Sequence, residues 1–376
     1  MKKIKNPFVV GTYVSAEYFC DREAETALLT KHIDNGINVT LTAPRRLGKT
    51  GLIRHFLSND YIQTEYYTFF VDLYSTNSLA EMVQILANAI IDQLQPTKER
   101  WWDRFATMVS SLNMGFSIDA MTGEPSFNIG LGQIHTPEIS LDQIFRYLET
   151  ADRPCIVAID EFQQIANYQE ISVEALLRTK IQRCVNTHFI YCGSKRHMMT
   201  QMFASPSRPF YQSSISMSLN PLPMDTYTEF CSRMFEKYGK HLESDVVETV
   251  YQEYEGYTWY MHMMMNELFS LTDDGGLCTK EMHKEALENI IISQQQKYQE
   301  LLSMIPPKQK IVLEAIAREG KAGAVTSAAF IRKHSLPSAS SVQAAMKGLL
   351  EKEVISQNDG QYYVYDYFLA QYISRK

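Results

Sequence analysis

The run Ala43-Pro44-Arg45-Arg46-Leu47-Gly48-Lys49-Thr50 carries the strongest chemical signal in the chain. It fits the spacing G-x-x-x-x-G-K-[ST], with Ala43 where the first glycine is usual. A loop wrapped around a polyphosphate must turn backbone N–H groups inward and hand the anion to the positive end of a helix. Gly48 allows that close approach. Lys49 is then placed to reach β- and γ-phosphates, and the Thr50 hydroxyl to ligate Mg²⁺, with Gly51 continuing into the helix. The competing reading is a chance Gly-Lys-Thr in a strand-to-helix turn.

A second motif lies about 110 residues further on, where Cys155-Ile156-Val157-Ala158-Ile159 runs into Asp160-Glu161. An acid closing an apolar strand beside a phosphate loop holds the metal's water shell, which assigns Asp160 to the metal. Glu161 is placed to orient or deprotonate an attacking water. A helix-capping Asp-Glu pair is the bland alternative. A third strand, His188–Cys192, ends in Gly193-Ser194, and the Ser194 hydroxyl could bond the water or a γ-phosphate. Arg196 and Arg208 follow. A guanidinium at a γ-phosphate, from the same chain or a neighbouring subunit, would stabilise transition-state charge; a solvated surface arginine is the rival reading for each.

These residues need strands and helices to hold them. Short β-rich apolar runs (Ile37–Thr42, Tyr67–Leu73, Cys155–Ile159, His188–Cys192) alternate with helix-period stretches (Glu23–Ile33, Lys49–Leu57, Leu79–Leu94, Leu141–Thr150, Ser172–Val185). That alternation predicts an α/β core with a parallel sheet, its strands buried as continuous apolar runs. Period-two patterning on either side of Thr122–Pro125 predicts a β-hairpin inserted at about 112–133. From 221 to 305 helices take over, which reads as a helical lid. Pro306-Pro307 then opens a last unit, 306–376, with helices over Lys308–Arg318, Thr326–His334 and Ser338–Lys352. The third places Val342, Ala345, Met346, Leu349 and Leu350 on one buried face. Val354–Ser356 and Tyr362–Tyr365, joined by Asn358-Asp359-Gly360, form a hairpin wing, so the unit reads as a winged helix.

Composition agrees with a soluble, core-forming chain. The 376 residues are 45% hydrophobic and 21% charged, a balance suited to two or three domains. No run approaches the ~18 apolar residues of a membrane helix, and the start lacks a signal-type segment, so a cytoplasmic protein without membrane contact is expected. Six scattered cysteines without a C-x-x-C pair indicate reduced, mostly buried thiols. The formal net charge is −7, yet residues 306–376 carry 10 Lys/Arg against 6 Asp/Glu. An acidic body argues against broad nucleic-acid adhesion, while the basic tail leaves room for a local phosphate contact.

The Pro44-Arg45-Arg46-x-Gly48-Lys49-Thr50 form of the loop, the Ile159–Phe162 strand end, Gly193-Ser194 and the upstream Phe19-Cys20-Asp21-Arg22-Glu23 together resemble the archaeal-type ATPase family within the AAA+/STAND group. The resemblance extends over essentially the whole chain. It implies an ATP-binding core with Mg²⁺, slow hydrolysis and coupling to lid and tail. It also places the Tyr18–Glu23 box, with Tyr18 and Arg22, near the adenine. ATP rather than GTP rests on this resemblance, since no N-K-x-D base reader is evident. Two departures stand out: Ala43 in the loop, and Glu255–Tyr260 where related lids carry a G-G-x-P-like turn. Trp259 and Tyr260 are expected in core packing.

The leading expectation is a Mg²⁺-dependent ATPase acting as a nucleotide-driven switch on a protein client. The rival is a non-enzymatic, nucleotide-stabilised scaffold or a DNA-binding regulator. The third tail helix offers only Ser340, Ser341, Gln343 and Lys347 for base reading. The aromatic wing (Tyr362, Tyr363, Tyr365, Tyr367) suits packing as readily as base stacking. A ring-forming homo-oligomer with an arginine in trans stays open.

Overall fold

A computed structural model of the chain describes residues 4–93, 116–118, 125–127, 137–170 and 172–375. They form two compact units: Thr12–Leu222, and Met1–Gly11 together with Pro223–Lys376.

The first unit is an α/β layer. Its elements in chain order are α1 (Glu23–Asp34), β1 (Val39–Thr42), α2 (Lys49–Leu57), α3 (Asp60–Glu65), β2 (Tyr67–Asp72) and α4 (Leu79–Gln93). After these come β3 (Phe116–Ile118), β4 (Pro125–Phe127), α5 (Pro137–Glu149), β5 (Cys155–Asp160), α6 (Val173–Ile181), β6 (Thr187–Gly193), α7 (Arg196–Ala204) and β7 (Ile215–Ser218). Five strands make one sheet in the order β2-β5-β6-β1-β7, every pair parallel. Each residue of β5 is buried, which requires cover on both faces. Cys155, Val157 and Ile159 join a core with α4, α5 and α6, while Ile156 and Ala158 are buried on the opposite side.

The order of the strands makes the site. β1 and β2 are consecutive in the chain but separated by β5 and β6, and a crevice forms at strand carboxyl ends where the order switches. The loop after β1, the acids after β5 and the polar tip after β6 all emerge there.

The inserted hairpin is present as β3 and β4, paired antiparallel with Phe116 opposite Phe127. Its turn and flanks, within the expected 112–133, lie outside the described residues. The edge strand β7 was not expected from the sequence, because Ile215–Ser218 alternates serine with apolar residues and is largely exposed.

The second unit holds α8 (Met224–Lys237), β8 (His241–Leu242), α9 (Ser244–Tyr254), α10 (Thr258–Leu271), β9 (Leu277–Cys278) and α11 (Met282–Ser303). The tail follows as α12 (Pro307–Glu319), β10 (Ala322–Gly323), α13 (Ala328–Lys333), α14 (Ala339–Glu351), β11 (Ile355–Asn358), β12 (Gln361–Val364) and α15 (Tyr367–Ser374). Its sheet has the order β10-β12-β11, which completes a winged helix.

Four details differ from the sequence reading. Leu350 is exposed, because α14 ends at Glu351 and the eighth position has rotated off the buried stripe. Tyr367 does not belong to the wing but opens α15, where the Asp366 carboxylate accepts from Phe368 and Leu369 N–H and caps the helix. Trp259 and Tyr260 pack against the tail: Tyr260 lies 4.9 Å from Tyr367 and Trp259 6.2 Å from Phe368, ring centre to ring centre. The arm before Gly11 also belongs to the lid. Phe8 is fully buried against Phe230, Phe235, His262 and Phe269, and Asn6 and Asn266 exchange side-chain bonds with each other's stretch of backbone.

Candidate functional site

Gly48 caps α2 at φ +88°, and Arg46 also adopts the left-handed region at φ +72°. These two reversals fold the chain from β1 into α2, a turn in which Gly48 carries no Cβ penalty. Ala43 is buried and its N–H points to the Gly193 carbonyl at 3.5 Å, so a methyl group at the first loop position is tolerated.

Lys49 is 7% exposed and Asp160 4%. The Lys49 ammonium lies 2.8 Å from Asp160 Oδ1 and 3.7 Å from Glu161 Oε1. The Thr50 hydroxyl donates to Asp160 Oδ2 at 2.6 Å. Burial is the largest influence on both charged groups, and it opposes their charge. For Lys49 it is outweighed by Asp160, then Cys192 and Glu161, so the ammonium is held above its ordinary pKa. For Asp160 it is outweighed by Lys49 and by bonds from Lys49, Thr50 and the Glu161 N–H, so the carboxyl is held below the usual range.

Glu161 takes the left-handed region at φ +51°, which swings its side chain back over the sheet end. Its Oε2 accepts from the Ser194 hydroxyl at 2.9 Å and from the Gln163 amide nitrogen. Arg45 Nε reaches Ser194 Oγ at 3.3 Å, which ties the phosphate loop to the tip of β6.

The remaining sequence candidates fall into two groups. Tyr18 closes a short 3-10 turn, Ala16–Tyr18, and brings the next residue, Phe19, onto α2. Phe19 stacks on His55 at 4.5 Å, and a Cβ on Gly51 would stand 3.2 Å from its ring. The box therefore sits against the helix that the phosphate loop opens. Arg22 is buried, paired with Glu25 at 2.6 Å and donating to the Asn220 carbonyl at 2.8 Å, so its guanidinium fastens the start of α1 to the end of the unit. Arg208 is not brought to the loop; its guanidinium is paired with Glu174 at the start of α6. Arg196 opens α7 and is exposed.

Sequence reasoning missed Asp72 and Gln163. Asp72 ends β2 in register with Asp160. Its carboxyl is pushed up, first by desolvation and then by the charges of Asp160 and Glu161, against a lowering bond from the Tyr74 N–H. The strand pattern ending in an acid, Tyr67–Asp72, was the available signal.

A family model described as "ATPase domain predominantly from Archaea" matches residues 19–264. The chain belongs to that ATPase family. A second model, "Probable winged helix domain", matches residues 296–375. Among solved structures, the chain resembles a Walker-type ATPase of Pyrococcus abyssi at 20% identity and a TM-score of 0.64, covering 98% of this chain and 100% of that one. It also resembles the ORC2 protein of Aeropyrum pernix, solved as ADPNP-ADP complexes, at 12% identity and a TM-score of 0.62, covering 99% and 96%. The ORC1 protein of the same organism, solved with DNA, matches at 11% identity and a TM-score of 0.52, covering 95% and 92%. At these identities the likeness is one of fold. No curated protein sequence matches. This ATPase carries no helix, among its described residues, long and apolar enough to cross a membrane. None of the six cysteines is in a disulfide, and five are buried.

Proposed function

We propose that this ATPase binds ATP with Mg²⁺ on residues 43–51 and hydrolyses it slowly, as a nucleotide-driven switch that acts on a protein client. The observation that carries the reading is the single cluster formed by Lys49, Thr50, Asp160, Glu161 and Ser194 at one end of the sheet.

The residues fit a divalent cation beside a polyphosphate. Thr50 and Asp160 offer hard oxygen ligands next to each other, and the left-handed turns at Arg46 and Gly48 suit a backbone cradle. Bound there, Mg²⁺ would neutralise charge on the phosphate oxygens. Lys49 offsets the mutual repulsion of two carboxylates and incoming phosphate charge, since it is already charged and buried between Asp160 and Glu161. In the chemical step the water oxygen bonds to the γ-phosphorus as the bond to the β,γ-bridging oxygen breaks. The water's proton passes to Glu161 Oε1, and ADP and phosphate leave. Ser194 holds the other Glu161 oxygen. The Tyr18–Arg22 box lies beside the adenine on this reading. Arg208, held by Glu174, acts on phosphate only after exchanging that partner.

The three-part division expected as core (1–220), lid (221–305) and winged helix (306–376) belongs to the same proposal, with the arm before Gly11 moved from the core to the lid, as do a homo-oligomeric state and a cytoplasmic setting. DNA contact through the tail is a secondary reading. Ser340, Gln343 and Lys347 are exposed on α14, but Lys347 faces Glu351 at 3.9 Å, which weakens its field.

Two variants test the reading. Lys49→Ala should weaken ATP binding at least about tenfold, the loss of a charge-assisted phosphate contact. Glu161→Gln should bind ATP as before and lose turnover by about 10²–10⁴-fold. Normal hydrolysis by Glu161→Gln would remove the general base from the scheme. Phosphate release measured with and without duplex DNA separates a DNA-coupled ATPase from a scaffold that binds nucleotide without turnover.

A further inference from the structure

Gln163 lies two residues past Glu161, in a short 3-10 helix spanning Phe162–Asn167. Its side chain is 3% exposed, tucked beneath the end of β6. The amide nitrogen donates to Glu161 Oε2, and the Ser194 hydroxyl donates to the same oxygen at 2.9 Å. The orientation follows from chemistry, because turning the amide over would set its carbonyl against a carboxylate.

The other end of the amide is costly. Gln163 Oε1 is buried with no hydrogen-bond partner among the described residues. It points at Gly193, where an added Cβ would stand 2.4 Å away. A buried acceptor left unpaired costs about 1–3 kcal/mol, a cost that an apolar side chain of the same length would avoid. Among the described residues one end of this amide is therefore unsatisfied, with room for it at residue 193, while the nitrogen end serves Glu161.

We infer that Gln163 is a positioning residue for Glu161, an inference that rests on Glu161 being the general base. Two neutral donors commit Oε2 to the protein. Proton acceptance then falls to Oε1, the oxygen on the Lys49 side. They also fix the rotation of a carboxylate whose backbone is already held in the left-handed region. Gly193-Ser194 acquires a joint meaning: glycine makes space for the amide, and serine supplies the second donor.

The test is Gln163→Met, close in size and lacking the donor, assayed for steady-state ATP hydrolysis and for equilibrium nucleotide binding. Misplacing a catalytic group by about 1 Å costs on the order of 10²-fold, so kcat should fall between about tenfold and a hundredfold while KM and nucleotide Kd stay within about twofold. In a Glu161→Gln background the same change should leave the residual rate unaltered, because the group it positions is gone. If Gln163→Met keeps kcat while Glu161→Gln abolishes turnover, the positioning role is refuted and the general base stands. If Glu161→Gln itself turns over normally, the reading beneath fails instead. A parallel loss of kcat and nucleotide affinity would mark Gln163 as merely structural and would also overturn the inference. Should the methionine variant melt early, Gln163→Asn carries the same test, since it keeps an amide but withdraws its nitrogen by one methylene.

Discussion

Asp160→Asn is the most demanding perturbation of the site, because one change removes the partner of a buried ammonium and half of the metal's expected ligand pair. Lys49 would keep only Glu161, at 3.7 Å instead of the 2.8 Å to Asp160. Breaking a buried pair by removing one member costs about 3–5 kcal/mol, and the remaining carboxylate places this case near the lower end, at about 3 kcal/mol. The unit affected spans Thr12–Leu222, a size at which each kcal/mol shifts Tm by about 2–4 °C, so its melting transition should fall by about 6–12 °C. Differential scanning calorimetry of the full chain reads that shift. Nucleotide titration with and without Mg²⁺ reads the second effect. Binding without the cation should hold or tighten, because a negative charge near the phosphates has been removed, while the gain in affinity on adding Mg²⁺ should largely disappear. A Tm within about 2 °C of the parent, together with an undiminished Mg²⁺ effect, would show that Lys49 does not depend on Asp160 and that the metal lies elsewhere.

Two further outcomes are expected. Gly193→Ala places a Cβ 2.4 Å from Gln163 Oε1 and 2.5 Å from Met199 Cγ and Sδ, so it should destabilise the core by about 1–3 kcal/mol in a denaturant melt and lower kcat more than nucleotide affinity. The second concerns His262, whose ring is buried beside Phe8, Tyr227 and Phe230 and whose pKa burial lowers to about 4, against a raising backbone bond at Thr258. The unfolded chain takes up this proton near pH 6.5 and the folded chain only near 4. Stability is therefore complete above pH 6.5 and declines as pH falls toward 4, by about 3 kcal/mol. Urea melts of His262→Gln should show a smaller loss over that interval.

The assembly of the candidate site was legible because its residues are consecutive: phosphate loop, strand-ending acids and Gly193-Ser194 are each short runs, and a parallel sheet brings strand carboxyl ends together. The helices around them were readable from apolar periodicity, and α2 spans Lys49–Leu57 as expected. Parts that depend on tertiary placement were not readable. Gln163 looks like any polar residue after a strand until its amide is seen under Glu161. Asp72 matters through its register with Asp160, which no local pattern encodes. Arg208 had the right chemistry and order, yet Glu174, partly buried nearby, holds its guanidinium. Tyr367 was misplaced, and Phe8 gave no signal, for a common reason: a side chain's burial partner can lie more than 100 residues away.

Within the second unit the lid helices and the winged helix share one aromatic cluster. Tyr254 lies 5.4 Å from Phe368, Tyr260 4.9 Å from Tyr367 and 5.3 Å from Phe368, and the Tyr260 hydroxyl donates to the Tyr365 carbonyl at 3.2 Å. Polar contacts reinforce it: Glu253 accepts from Gln371 at 3.2 Å and pairs with His283 at 2.7 Å, and Lys321 pairs with Glu255 at 2.5 Å. Aromatic pairs contribute about 0.5–1.5 kcal/mol each beyond their burial, so several in one cluster resist independent movement of lid and tail. The segment Glu255–Tyr260 makes part of these contacts, through Glu255 and Tyr260. In the proposed switch the lid then has no need to signal to the winged helix through a flexible joint. On that proposal, displacing α9 and α10 would displace α14 and the wing with them, and a partner of the tail would read the nucleotide state as a change of position of that unit.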